Sequence, residues 1–380
     1  MEILENVLDY IENSKEELLA LLKELAVIPA PSHYEDQRAE FCKTWLESNG
    51  AVGVYIDEAK NVIYPMGCED CSEIVVFMAH TDVVFPDTTP LPLVCEGNRL
   101  CCPGIGDDTV SVVMMMMTVK YILQRGLRPK QGILFVANSC EEGLGNLKGS
   151  MKIMKDFAGR IKGLYTFDGR YHCVVDKCVG SYRYEIECET EGGHSFGAFG
   201  KANAIVELSR LISDLYAIEI PKNGNSKTTY NVGHIEGGTS VNTIAQYAKM
   251  LYEYRSDDVQ CIEQMTKLFK DAVSKANERK TATFRVKTVG IRPCGSESVD
   301  HQLHEEMLSL VSDIVKKHTG SEPRRKSGST DCNSPMSVGV PAVCVGCYDG
   351  GGAHTREEYL ELDSISKGMR IVSELILSYF

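Results

Sequence analysis

No stretch of this sequence is long and apolar enough to cross a bilayer. Its most apolar run, residues 110–119, is short and carries Ser111 and Thr118. The opening residues Met1-Glu2-Ile3-Leu4-Glu5-Asn6 lack the basic start and apolar stretch of a secretory signal. Positive charge is also short: 40 Lys and Arg stand against 53 Asp and Glu, a net charge of -13. Such an acidic balance argues against nucleic acid or an anionic membrane as partner. A disulfide framework is missing too, since the 15 cysteines are odd in number and scattered. These absences lead to the expectation of a cytoplasmic protein with mostly free thiols. There is no internal repeat and no low-complexity tract. What remains is an ordinary globular composition, 43% hydrophobic and 24% charged, over 380 residues, which is enough for two domains with sizeable cores.

Two kinds of strand pattern divide the chain. Residues 74–79, 133–137 and 341–345 are continuous apolar runs, suited to strands buried on both faces of a mainly parallel sheet between helices. In the middle, Tyr182, Tyr184, Ile186 and Cys188 alternate with charged residues, and Ala248, Met250, Tyr252 and Tyr254 share one side of another run. Period-two alternation indicates an antiparallel sheet with one wet face. Helical patterns cover about residues 108–124, 203–216, 259–276, 299–318 and 364–380. Met114 to Met117 fall in the first of these and read as helix core. Ser14 with Glu17, and Ser32 with Glu35, have the spacing of capping boxes. The expected organisation is an α/β domain, residues 1–178 and 290–380, interrupted by a smaller α+β domain at 179–289.

Metal-capable residues recur just downstream of the apolar strands, where open α/β sheets place their sites. His80-Thr81-Asp82 follows the first run; His80 can be a ligand with Asp82 orienting it from behind, or a satisfied strand-end histidine. Gly104-Ile105-Gly106-Asp107-Asp108 opens a helix, as a simple cap or as a carboxylate able to bridge two cations. A phosphate loop is excluded because no Gly-Lys-Ser/Thr follows. Cys140-Glu141-Glu142-Gly143 follows the second run, where one glutamate can bind metal and the other serve as a base. Phe167-Asp168 closes another apolar run, and Gly350-Gly351-Gly352-Ala353-His354 follows the last. A mixed histidine and carboxylate set without cysteine suits zinc, cobalt or manganese at a catalytic rather than a structural site. Two Cys-x-x-Cys pairs, Cys68/Cys71 and Cys344/Cys347, could form a structural zinc site. They are expected at opposite ends of their strands, which favours reading them as small buried hydrophobes. His301 and His304 read as surface histidines, and Arg324-Arg325-Lys326 as a solvated cluster.

The order His-x-Asp, Gly-x-x-Asp-Asp, Glu-Glu-Gly, strand-end Asp and late Gly-x-x-His resembles the co-catalytic di-zinc peptidases. That family includes peptidase T, carboxypeptidase G, aminoacylase-1 and succinyl-diaminopimelate desuccinylase. Further matches cover nearly the whole chain: Gly193-His194-Ser195 with Gly200 to Ala204, Gly233 to Gly238 with Val241-Asn242, and Gly328-Ser329-Thr330-Asp331. The resemblance implies a zinc-exopeptidase-like sheet with an inserted lid that also mediates dimerisation. It implies Asp107 as the ligand bridging two metals, His80 and Asp168 on one, and Glu142 and His354 on the other. Glu141 is implied as general base, Asp82 as the partner of His80, and His194 as a lid residue stabilising the oxyanion, often across a homodimer. Asn242, Arg255, Gly328 and Ser329 are implied substrate contacts, and the bond between Asp107 and Asp108 is implied to be cis. Thr109 departs from the lysine many members carry there. The context of Thr109 and residues 146–149 looks nearest to peptidase T-like members. The expected activity is hydrolysis of small peptides, tripeptide aminopeptidase- or dipeptidase-like, through a water activated by two divalent ions. Zinc is expected first, with cobalt or manganese as alternatives. N-acyl amino acid deacylation is the main alternative; a non-catalytic binding protein is another, against which the intact Glu141 speaks.

Overall fold

A computed structural model describes residues 2–69 and 71–380. Met1, the first residue of the acidic opening segment, lies outside the described residues. The chain divides into two compact units, one of residues 1–178 with 298–380 and one of residues 179–297. The second junction falls at 297 rather than 289 because the strand Thr283–Arg292 runs past the expected boundary.

The first unit is built on an eight-stranded sheet. Its order is Tyr55–Ile56, Val62–Met66, Gly132–Asn138, Ile74–His80, Ile161–Phe167, Ala342–Val345, Cys173–Cys178 and Arg324–Gly328. The four strands around the centre run parallel, Ile74–His80 lying between Gly132–Asn138 and Ile161–Phe167. Antiparallel pairings near the edges make the sheet mixed. Phe77, Phe135, Tyr165 and Val345 face one apolar cluster, while Val76, Leu134, Leu164 and Cys344 face another. Both faces are therefore buried, which is why these strands read as unbroken apolar runs. Val110–Arg125 packs in the first cluster with all four methionines buried, and Gly126 ends it in the left-handed conformation.

The second unit has a four-stranded antiparallel sheet in the order Thr228–Gly237, Tyr247–Ser256, Gly180–Glu189 and Thr283–Arg292. Tyr184, Ile186, Met250, Tyr252 and Tyr254 line its dry face. Leu208 and Leu211 of Ala204–Tyr216, and Met265 and Phe269 of Val259–Glu278, pack in the same cluster. The α/β class with an inserted α+β portion is thus as the sequence patterns indicate.

Several local expectations change. Ser14 does not cap: its hydroxyl donates back to the Tyr10 carbonyl, because a helix already precedes it. The helix after Ser32 starts at Asp36, and both expected cap residues are engaged elsewhere. The helix expected from residue 108 begins at Val110, after a kinked turn over Ile105–Thr109 in which Asp107 and Asp108 are not helical. His304 is buried rather than on the surface, with Nε2 3.1 Å from the Ala342 carbonyl. All fifteen cysteines are free, and Cys68 and Cys344 are core residues. Among the described residues, no helix is long and apolar enough to cross a membrane.

Candidate metal centre

Three of the parallel strands deliver acidic or histidine side chains at or just after their C-terminal ends. His80 ends its strand and is 1% exposed. Asp168 directly follows Phe167, and Glu141 and Glu142 follow the strand ending at Asn138. Asp107 sits in the turn before the helix Val110–Arg125, and its bond to Asp108 is cis. His354 has a positive φ of 64, in a loop between the short strands Gly350–Gly351 and Tyr359–Glu361.

Asp107 is the hub. Its Oδ1 lies 3.1 Å from His80 Nε2 and its Oδ2 lies 3.1 Å from His354 Nε2. His354 Nε2 is also 3.2 Å from Glu142 Oε1. Ligand atoms lie within 4.8 Å of one another in three groups: His80 with Asp107 and Asp168, Asp107 with Glu142 and His354, and His80 with Glu141 and Glu142. Two divalent cations fit this set. One carboxylate turns separate oxygens toward separate imidazoles, each with a further carboxylate beside it.

The electrostatics follow from crowding acids in a buried place. Burial pushes Asp168 up to about 7, reinforced by the charge of Asp107. Burial would also raise Asp107, but His354 and His80 hold it below the usual carboxylate range. Asp107 and then Glu142 push His354 up to about 11. Burial opposes charge on His80, yet Asp107 and Asp82 keep it well above the ordinary histidine range. The cluster therefore attracts positive charge strongly, and cations compete with protons for the same atoms.

Asp82 is 0% exposed and does more than orient an imidazole. The nearest partner of His80 Nδ1 is the Asp82 backbone carbonyl at 3.0 Å, with Oδ1 at 3.4 Å. The Asp82 carboxylate accepts the backbone N–H of Glu141 and of Glu142, each at 2.9 Å, and the Ser32 hydroxyl at 2.6 Å. Asp82 thus ties the histidine strand to the two-glutamate turn. Glu35 supports that turn by accepting the Cys140 N–H at 3.1 Å.

The sequence patterns gave no notice of three contributors. Arg38 is fully buried; it donates to the carbonyls of Ala26, Ile28 and Thr81 and to Thr109 Oγ1. Glu358 accepts three backbone N–H groups from the turn that carries Asp107. Asn138 donates to buried Asp331 at 2.7 Å, linking the late Gly328 to Asp331 loop to the sheet. Only tertiary contact gives these residues meaning, apart from one weak signal: an acid four positions after His354.

The remaining expected site residues fall in two places. Gly328 ends the strand Arg324–Gly328, with Ser329 next to it, both partly exposed in the first unit. His194, Asn242 and Arg255 belong to the second unit. There the Gly193–His194 strand pairs with Thr243–Ile244, and Ser195 N donates to the Asn242 carbonyl at 2.9 Å, so His194 and Asn242 share one ribbon. Both are exposed. Arg255 forms a two-point ion pair with Glu253 at 2.9 and 3.0 Å.

A helix-flanked mixed sheet whose strand ends converge on a two-cation carboxylate and histidine cluster defines a dinuclear metallohydrolase fold and site. The chain belongs to peptidase family M20/M25/M40, whose family model matches residues 76–378. It is an enzyme of that family's metallopeptidase and amidohydrolase class. It is 23% identical over 374 residues to the succinyl-diaminopimelate desuccinylase of Corynebacterium glutamicum, covering 94% of this chain and 95% of the relative. Its fold is shared with aminopeptidase PepT from Bacillus cereus, at a TM-score of 0.73 and 18% identity over 95% of this chain and 98% of that one. It is shared too with the dipeptidase Dug1p of Saccharomyces cerevisiae, at a TM-score of 0.77 and 16% identity over 99% and 98%.

Proposed function

We propose that this protein is a cytoplasmic two-zinc exopeptidase that hydrolyses small peptides, tripeptide aminopeptidase- or dipeptidase-like. The observation that carries the reading is Asp107, whose two oxygens each lie 3.1 Å from a different imidazole, with buried Glu141 beside that of His80. Asp107 would serve two divalent ions in common, with His80 and Asp168 as further ligands of one and Glu142 and His354 as further ligands of the other. Cations held by these residues would supply a Lewis acid for the scissile carbonyl and favour ionisation of the attacking water. Glu141 takes the proton of that water and delivers it to the leaving amine. Asp82 holds His80 and the Glu141–Glu142 turn in register through the bonds described above. The second unit serves as lid and dimerisation domain. His194 donates a hydrogen bond to the carbonyl oxygen as charge develops, with Asn242, Arg255, Gly328 and Ser329 contacting substrate. Fifteen free cysteines support the cytoplasmic location.

N-acyl amino acid deacylation is the second reading, favoured by the likeness to a desuccinylase. One panel separates the two: di- and tripeptides, N-blocked peptides and N-acyl amino acids, each with zinc, cobalt and manganese enzyme. Turnover confined to peptides with a free N-terminus is expected. Turnover confined to acyl amino acids would replace the peptidase reading with the deacylase one.

A further inference from the structure

Glu358 lies on the loop that carries His354 and immediately precedes the strand Tyr359–Glu361. That strand pairs with Arg99–Cys101, just upstream of the turn holding Asp107. The Glu358 backbone carbonyl accepts the Cys102 N–H at 3.1 Å. Its side chain goes further into the same segment. Oε2 accepts Gly104 N–H at 2.7 Å, and Oε1 accepts Gly106 N–H and Asp107 N–H, each at 2.8 Å. These are the short distances of charge-assisted bonds, made to converging backbone donors that form a nest for an anion. The rest of the turn is equally committed: Thr109 donates to the Gly104 carbonyl, and the Tyr348 ring lies 2.5 Å from where a Cβ on Gly106 would sit.

We infer that Glu358 is a positioning residue for both metal sites: by clamping the backbone of the Asp107 turn, it fixes the direction of the carboxylate that faces both imidazoles. The inference rests on the reading of Asp107 as the bridging ligand. Its consequence is specific. Because Asp107 belongs to both metal groups, loosening its turn weakens both ions together, whereas loss of a terminal ligand weakens mainly one. Glu358→Gln keeps the size but replaces one accepting oxygen with an amide that faces backbone donors.

The test titrates apo protein with Zn2+ against a chromogenic chelator, for variants whose circular dichroism matches wild type. Glu358→Gln is expected to bind both equivalents about 10- to 100-fold more weakly, the usual effect of removing a group that orients a ligand. Glu358→Asp, which keeps the charge on a shorter arm, should fall between. Leu360→Ala, in the core two residues on, controls for destabilisation alone and should keep wild-type zinc affinity despite a lower Tm. Wild-type affinity in folded Glu358→Gln would overturn the inference, as would equal weakening in Leu360→Ala. So would failure of both Glu358 variants to fold while Leu360→Ala folds, since the residue would then be purely structural. Asp107→Ala separates the two levels. If it keeps both ions, the bridging reading fails; if it loses them while Glu358→Gln keeps them, only the inference fails.

Discussion

At the scale of the residue, the site separates groups of the same type by what holds them. Glu141 and Glu142 are adjacent and both buried, and Asp82 accepts the N–H of each. Only Glu142 falls in the group with Asp107 and His354. Glu141→Gln is therefore expected to keep both metal ions and lose about 10²- to 10⁴-fold in kcat. Metal content by elemental analysis beside steady-state turnover checks both halves. Near-wild-type kcat in the loaded variant would remove Glu141 as the base. His194→Ala should lower kcat by about 10²- to 10³-fold at unchanged metal content, the cost of one oxyanion donor. Arg38 makes the opposite point, since a buried cation serves here without touching a carboxylate. Burial pulls its guanidinium down to about 10, and four protein oxygens accept its N–H groups. Arg38→Met strands those acceptors, and each costs about 1–3 kcal/mol when left buried and unsatisfied. Urea unfolding should register at least one such loss.

At the scale of the element, the decisive piece is the turn between the strand Arg99–Cys101 and the helix Val110–Arg125. Gly104 has φ +75, and a Cβ there would run into the Val83 side chain. Gly104→Ala should destabilise by about 1–3 kcal/mol through overpacking, read as a lower Tm. The helix His301–Thr319 gives a pH effect away from the metals. Burial lowers the pKa of His304, which packs under the Ala342 carbonyl, and also that of His318 beside Glu374. A histidine held below its unfolded pKa resists a proton that the unfolded chain accepts. Its contribution is therefore intact above about pH 6.5 and falls as pH drops below that value. Unfolding free energy followed from neutral to mildly acidic pH should decline, and His304→Gln should flatten part of the slope. An unchanged slope in that variant would assign the decline to other groups.

At the scale of the whole molecule, two units with separate apolar clusters are joined by one chain. Ligand binding to the folded state stabilises by mass action, about 2.7 kcal/mol at a free concentration 100 times Kd. Calorimetry should thus show an unfolding transition that zinc raises and a chelator lowers. The second unit, carrying none of the proposed ligands, should unfold at a temperature that does not respond. Both transitions moving together would mean that the units unfold as one.

Much of this was legible in the chain. Period-two alternation at Tyr182, Tyr184 and Ile186, against unbroken runs such as residues 74–79, separates the two sheets, because burial on one face or two writes itself directly into residue order. The strand-end positions of His80, Glu142 and Asp168 were legible for the same reason: a strand's end is local. The capping pattern at Ser32 and Glu35 was misleading, since Asp82 and Cys140 compete for those side chains and tertiary bonds win over a local cap. Arg38 gave no signal, and Glu358 only its place four positions after His354. Their partners are backbone atoms of distant segments, and a main-chain carbonyl or N–H has no residue identity to read. The sequence by itself determined which strands are buried and which metal-capable side chains wait at their ends. Only the tertiary structure decided how those side chains are aimed, because aim depends on contacts between segments far apart in the chain.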